Sequence, residues 1–164
     1  MRLLLLFLFL CTPLFAQEGV WYKSLEEALV NPEHVYQLQL KRKRLTVFPV
    51  ELRRFPNLQK LDLSKNKIKA FPDSLSDLSN LIFLDLSRND IDEIPAHISQ
   101  LTSLQQLDLW DNYINVLPEQ IKELKSLNFL DIRGVALSYH KYSSYKEMMK
   151  GVQLFMSEPC DCQE

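Results

Sequence analysis

From Leu58 onward the apolar positions return on a fixed beat. Leu58, Leu61, Leu63, Ile68, Phe71, Leu75 and Leu78 are matched by Leu81, Leu84, Leu86, Ile91, Ile94, Ile98 and Leu101. Leu104, Leu107, Leu109, Ile114, Leu117, Ile121 and Leu124 repeat the series, each copy displaced by 23 residues. Around Leu61 and Leu63 the alternation has period two, which predicts a short strand with both leucines on one face. Pro72, Pro95 and Pro118 follow at the same point of each copy. Proline has no N–H to donate, so it suits the turn out of the strand region. Beyond it, Leu75 and Leu78, or Ile121 and Leu124, are three apart and predict one helical turn facing inward. Weaker copies flank these three. Val35, Leu38, Leu40, Leu45, Phe48, Pro49 and Leu52 form one; Leu127, Leu130, Ile132 and Leu137 form the other. No unit of this length buries its leucines alone, so five units predict a stack with a continuous core.

One polar position is as fixed as the leucines. Asn66, Asn89 and Asn112 complete the pattern L-x-x-L-x-L-x-x-N-x-L, with an apolar residue and proline after it. The pattern over residues 35–137 resembles the leucine-rich repeat family, in its 23-residue subclass with LP or IP after the asparagine. The resemblance implies an α/β solenoid: a right-handed superhelix with a concave parallel β-sheet, turns or short helical segments on the convex side, and helical end caps. It also implies that Asn66, Asn89 and Asn112 form a structural ladder, their amides satisfying main-chain groups of neighbouring coils. The physical need is plain, because an unmet backbone donor or acceptor in a buried turn costs roughly 1–3 kcal/mol. Lys43 and Val135 replace the asparagine in the flanking units, as expected where a neighbour is missing or atypical.

A stack exposes apolar surface at both ends. Residues 17–34 are read as an N-terminal helical cap: Ser24 and Glu27 make a capping box before a short helix ending near Asn31–Pro32, with Trp21, Tyr22 and Leu25 to cover the first coil. Residues 138–164 are read as a C-terminal helical cap and tail. Ser144 and Glu147 suggest a second capping box, and Tyr145, Met148, Met149, Val152, Phe155 and Met156 one helical apolar stripe.

Between the inward leucines, strand residues face outward on the concave side. One column reads Gln37, Lys60, Phe83, Gln106, Phe129; the next reads Gln39, Asp62, Asp85, Asp108, Asp131. Adjacent strands are ~4.8 Å apart, so the aspartates stack as like charges. Lys60, Lys65, Arg88 and Arg133 are placed to offset them. A straight column with basic neighbours does not converge the six or more oxygens that Ca²⁺ wants, and no metal or other cofactor is expected. The third column, Lys41, Ser64, Ser87, Trp110, Arg133, departs from small residues at Trp110, with Tyr113 three residues on. With Phe83 and Phe129 these make four aromatics that the leucine core does not need. Exposed aromatics flanked by arginine are enriched where proteins bind; the other reading folds Trp110 over the C-terminal cap. The candidate partner-binding set is therefore Phe83, Arg88, Gln106, Asp108, Trp110, Tyr113, Phe129 and Arg133, for a protein or peptide partner.

Composition narrows the alternatives. Arg2, the apolar run from Leu3 to Leu10 and a small residue at Ala16 have the layout of a secretory signal peptide over residues 1–16, so the protein is expected to be exported, to periplasm or medium. With that leader, caps without the cysteine clusters of animal extracellular leucine-rich repeat proteins and a sequence without an N-x-S/T sequon point to a bacterial protein. Without Arg2 the chain carries 18 Lys and Arg against 21 Asp and Glu. No basic block is read as able to neutralise a row of phosphates, which argues against nucleic acid. No later apolar stretch reaches the ~20 residues of a transmembrane helix. His34, His97 and His140 are scattered, and the three glycines, Gly19, Gly134 and Gly151, build no phosphate-cradling loop. No enzyme is expected. Cys160 and Cys162 leave one alternative, a redox or metal role for the CDC pair. Oligomeric state is left open.

Overall fold

The computed structural model describes residues 19–73, 75–134 and 139–157. Among the described residues, seven short strands form one sheet, each hydrogen-bonded to the next in chain order. They are β1 (Trp21–Tyr22), β2 (Gln37–Gln39), β3 (Lys60–Asp62), β4 (Phe83–Asp85), β5 (Gln106–Asp108), β6 (Phe129–Ile132) and β7 (Gln153–Met156). All pairs are parallel. From β2 to β6 the register sets equivalent residues side by side, Leu38 beside Leu61, then Leu84, Leu107 and Leu130. Consecutive parallel neighbours with no reversal are what a solenoid produces. The sheet lines its concave side.

Those five leucines are fully buried, whereas Lys60, Phe83, Gln106 and Phe129 beside them are not. The return path behind the sheet is made of 3-10 turns: Val50–Arg54, Leu75–Leu78, Ala96–Gln100 and Glu119–Glu123. Pro49, Pro95 and Pro118, in extended backbone, precede three of them. The 3-10 form suits the sequence, because residues three apart eclipse there and both point inward. Between sheet and turns lies a core of Leu, Ile and Phe, with Phe48 and Phe71 of adjacent coils 5.8 Å apart.

Both cap segments carry a helix, as expected, and each adds a strand to the five of the repeat units. At the start, Trp21 and Tyr22 pair with Gln37 and Leu38. Helix α1 (Leu25–Ala28) follows, with Ser24 Oγ accepting from the Glu27 N–H at 3.2 Å; the Glu27 carboxylate accepts instead from the Lys23 N–H at 3.4 Å. The helix stops at Ala28, earlier than expected, and Pro32–His34 form a separate 3-10 turn.

At the other end the single helical stripe divides. Helix α2 (Tyr139–Met148) begins before Ser144, so that serine lies inside the helix rather than at its cap. Gly151, at φ 96°, turns the chain, and Gln153–Met156 become β7 against Phe129–Ile132. The physical reason is the edge of β6: as the last strand it would carry unpaired backbone groups, and β7 satisfies them. Tyr145 and Met149 of the α2 segment are buried in the core, and the Tyr145 hydroxyl accepts from the Leu117 N–H at 2.9 Å. The leader reading of residues 1–16, together with Val135, Leu137, Cys160 and Cys162, lies outside the described residues.

Candidate functional site

The front of the sheet is organised by how each strand ends. Asp62 Oδ1 accepts from the Ser64 N–H at 2.9 Å and from its hydroxyl at 2.6 Å. Asp85, Asp108 and Asp131 likewise accept from the N–H groups of Ser87, Trp110 and Arg133 at 2.9–3.0 Å. Aspartate is suited to this, since its short carboxylate turns the backbone two residues on. One residue further the chain enters the left-handed region: Arg42, Lys65, Arg88 and Asp111 have φ of 57–59°, and Gly134 has 78°. For a residue with a Cβ this costs roughly 1–2 kcal/mol. The conformation aims each N–H at the next coil: Arg42 at Ser64 O, Lys65 at Ser87 O, Arg88 at Trp110 O and Asp111 at Arg133 O, at 2.7–3.1 Å.

Beneath this turn the three asparagines bridge coils. Asn66 Oδ1 accepts from the Lys43 and Leu45 N–H groups, Asn89 Oδ1 from Ile68 and Asn112 Oδ1 from Ile91, at 2.8–3.1 Å. Each Nδ2 donates to the preceding coil and within its own, Asn89 to Leu63 O at 3.1 Å and Leu86 O at 2.9 Å. Lys43 takes no part through its side chain in this amide chain; its backbone N–H is where the chain ends.

The aspartate column is neutralised unevenly. Asp131 is held by Arg133, whose Nε lies 3.0 Å from Oδ1 and 3.1 Å from Oδ2. Asp62 accepts from Gln39 Nε2 at 2.9 Å. Asp108 stands between two neighbours of its own charge. Burial foremost, then Asp85 and Asp131, push its carboxyl up to about 6, against the opposing pull of the Trp110 N–H and Arg133. Burial raises Asp85 as well. Arg88 does not face this column in an ion pair, as the sequence suggested; its Nε is 3.3 Å from Asp111 Oδ2.

The aromatics find partners the sequence did not name. Trp110 lies under the Arg88 guanidinium, 4.9 Å from ring centre to carbon. This contact points one coil back toward the N-terminus, away from the C-terminal cap. Trp110 remains 37% exposed and Tyr113 67%. Phe83 meets Trp21 edge-on at 6.5 Å, and the two line an open groove with Lys60 and Gln106. Phe129 packs on Phe155 of β7 at 5.4 Å, with Arg133 over the Phe155 ring. The front therefore carries three aromatic stations rather than one cluster. Trp21 and Phe155 were missed because their strands were read as parts of caps.

Two family models of the leucine-rich repeat match, over residues 33–91 and 103–124. The chain is a leucine-rich repeat protein. This leucine-rich repeat chain is similar to a leucine-rich repeat protein of Leptospira interrogans, with 33% identity over 71% of its length and a TM-score of 0.64. It is similar in fold to an internalin of Listeria monocytogenes, at 21% identity over 75% of its length and a TM-score of 0.56. It spans 29% and 35% of those two chains. No curated protein matches the sequence. The family supports a protein-interaction module in general. Among the described residues, no helix is long and apolar enough to cross a membrane.

Proposed function

We propose that this leucine-rich repeat protein is an exported bacterial binding module. It captures a protein or peptide on its concave face, through Trp110 and Tyr113 with Phe83, Gln106, Asp108, Phe129, Arg88 and Arg133. The observation that carries the reading is the Arg88–Trp110 stack. The guanidinium lies on the indole face and is tethered to Asp111 at 3.3 Å, so a large aromatic surface is oriented before any partner arrives. An immobilised aromatic loses little side-chain entropy on docking, and this combination of Trp with Arg is frequent among residues that dominate binding energy. The rows of backbone bonds behind it fix the position to the sheet. Catalysis is not part of the proposal; the face displays side chains in columns rather than converging an acid, a base and a nucleophile.

The bacterial and exported part of the reading is supported by the organisms of the two similar structures and by the apolar run Leu3–Leu10 behind Arg2. Capture of a partner from the source organism's periplasm and medium, or from its surroundings, tests the site. Wild type and Trp110→Ala are compared at equal loading, with melting curves on both. The variant is expected to keep the fold and lose the partner by tenfold or more in affinity, ~1.4 kcal/mol. Equal capture by the two proteins contradicts the assignment.

A further inference from the structure

The coil-to-coil register creates a charge arrangement that no contiguous stretch of sequence contains. Arg42, Lys65 and Arg88 occupy one left-handed turn position in three successive coils, their backbone N–H groups bonded from each coil to the next. At ~4.8 Å per coil, three such positions span about 10 Å along the edge of the sheet. Lys41 adds a fourth cation on the same side, and the crowding is felt. Arg42 first, then partial burial, then Arg88 and Lys41, lower the Lys65 ammonium from its ordinary pKa, with Asp85 pulling the other way. Lys43, in the same turn, acts instead on Glu26 of α1. The row stops at the next coil, where Asp111 holds the equivalent position and pairs with Arg88.

We infer that the turn edge built by Arg42, Lys65 and Arg88, with Lys41 beside it, docks a short acidic polypeptide segment. The inference rests on the concave side being the docking face, because the row leads directly to Trp110. The length of the row selects the class. About 10 Å of extended chain carries two or three carboxylates, which matches Arg42 and Lys65 with Arg88, whose charge is shared with Asp111, at the end of the row. A single nucleic-acid strand needs a groove tracking four or more nucleotides, whereas this row of cations ends after three coils, at Asp111. The conformation favours such a partner too. Each cation is carried on a backbone position tied into the neighbouring coil, so the spacing of the side-chain anchors is preset.

The test uses the full chain and a fluorescein-labelled alternating Gly–Glu peptide, followed by anisotropy at low and physiological salt. The same measurement is made with a Gly–Lys peptide and with a single-stranded oligonucleotide of matching charge. Arg42→Gln with Lys65→Gln keeps two polar side chains at φ near 60° and so leaves the turn intact; melting curves check this. Arg53→Gln with Arg54→Gln, on the exposed convex turn, is the charge-matched control. The expected result is salt-sensitive binding of the Gly–Glu peptide, weakened at least about tenfold in the turn variant, unchanged in the control and restored by Arg42→Lys with Lys65→Arg. Equal binding by the turn variant, equal binding of the Gly–Lys peptide, or tighter binding of the oligonucleotide at this edge each overturns the inference. The two proposals separate cleanly. If partner capture is lost in Trp110→Ala while the turn variant binds peptide as wild type, the edge is wrong and the docking face stands. If the peptide result holds while Trp110→Ala captures normally, the opposite conclusion follows.

Discussion

Replacing Asn89 by alanine removes one rung from the chain of amides behind the strands. Asn89 is 5% exposed, so water does not take over its bonds. Its Oδ1 accepts from the Ile68 N–H at 3.0 Å, and that donor is left buried and alone. Its Nδ2 serves Leu63 O and Leu86 O, but each of these carbonyls also accepts from a neighbouring amide, Asn66 at 2.7 Å and Asn112 at 3.0 Å. Two shared bonds are therefore weakened while one donor is orphaned. An unsatisfied buried N–H costs about 1–3 kcal/mol and a lost hydrogen bond about 0.5–1.5 kcal/mol, which together give roughly 2–4 kcal/mol allowing for the shared acceptors. For a domain of this size that lowers the melting temperature by on the order of 10 °C. Urea unfolding followed by circular dichroism reads the loss directly, with Asn89→Asp as the discriminating variant. The carboxylate still accepts from Ile68 but faces two carbonyls it cannot donate to. It is therefore expected to be destabilised as well, through a different group. Unfolding of Asn89→Ala within ~0.5 kcal/mol of wild type refutes the reasoning, because it means the turn finds its bonds elsewhere.

Two further outcomes follow from the same geometry. The Asp108 carboxyl is raised to about 6 from an ordinary 3.8, so its contribution to stability is fully present below pH 4 and is lost as pH rises through 6. Asp108→Asn keeps an oxygen for the Trp110 N–H and lacks the charge; relative to wild type it should gain about 1–2 kcal/mol between pH 4 and pH 8, after allowance for solvent screening, and a pH-independent difference between the two proteins contradicts this cause. Tyr145→Phe orphans the Leu117 N–H at the C-terminal seal and should cost about 1–3 kcal/mol in urea unfolding, whereas a neutral result means α2 does not close the last coil through that bond.

The repeating core was legible because it is periodic. Leu61, Leu84 and Leu107 recur at one interval, and any fold that satisfies all three must stack them. The asparagine positions were legible for the same reason. The ends were not, because their strands are two and four residues long and lack the repeat pattern. Trp21–Tyr22 and Gln153–Met156 become strands only when an open sheet edge is present to pair with them. Competition between helix and edge is a tertiary effect, and a stripe such as Tyr145 to Met156 carries no mark of where Gly151 divides it. The geometry of the candidate site was partly legible. Trp110 stands out against Ser64 and Ser87 in one column, yet its partner Arg88 is 22 residues earlier and was assigned to the aspartates. The left-handed turn was missed although it precedes each asparagine, and with it the stacking of Arg42 on Lys65 and Arg88. The contiguous block Lys41–Arg44 is visible in the sequence, but Lys65 and Arg88 join it only through the register of the coils.

The central claim, that the front of the sheet is where a partner sits, is most directly measured by placing a photoreactive phenylalanine analogue at single positions in the full chain and irradiating it in its native surroundings. Gln106 is exposed on the concave face and Gln100 is exposed on the convex turn. The account predicts a discrete adduct from position 106, absent in the Trp110→Ala background, and none from position 100. An adduct from position 100 alone, or from both equally, contradicts it.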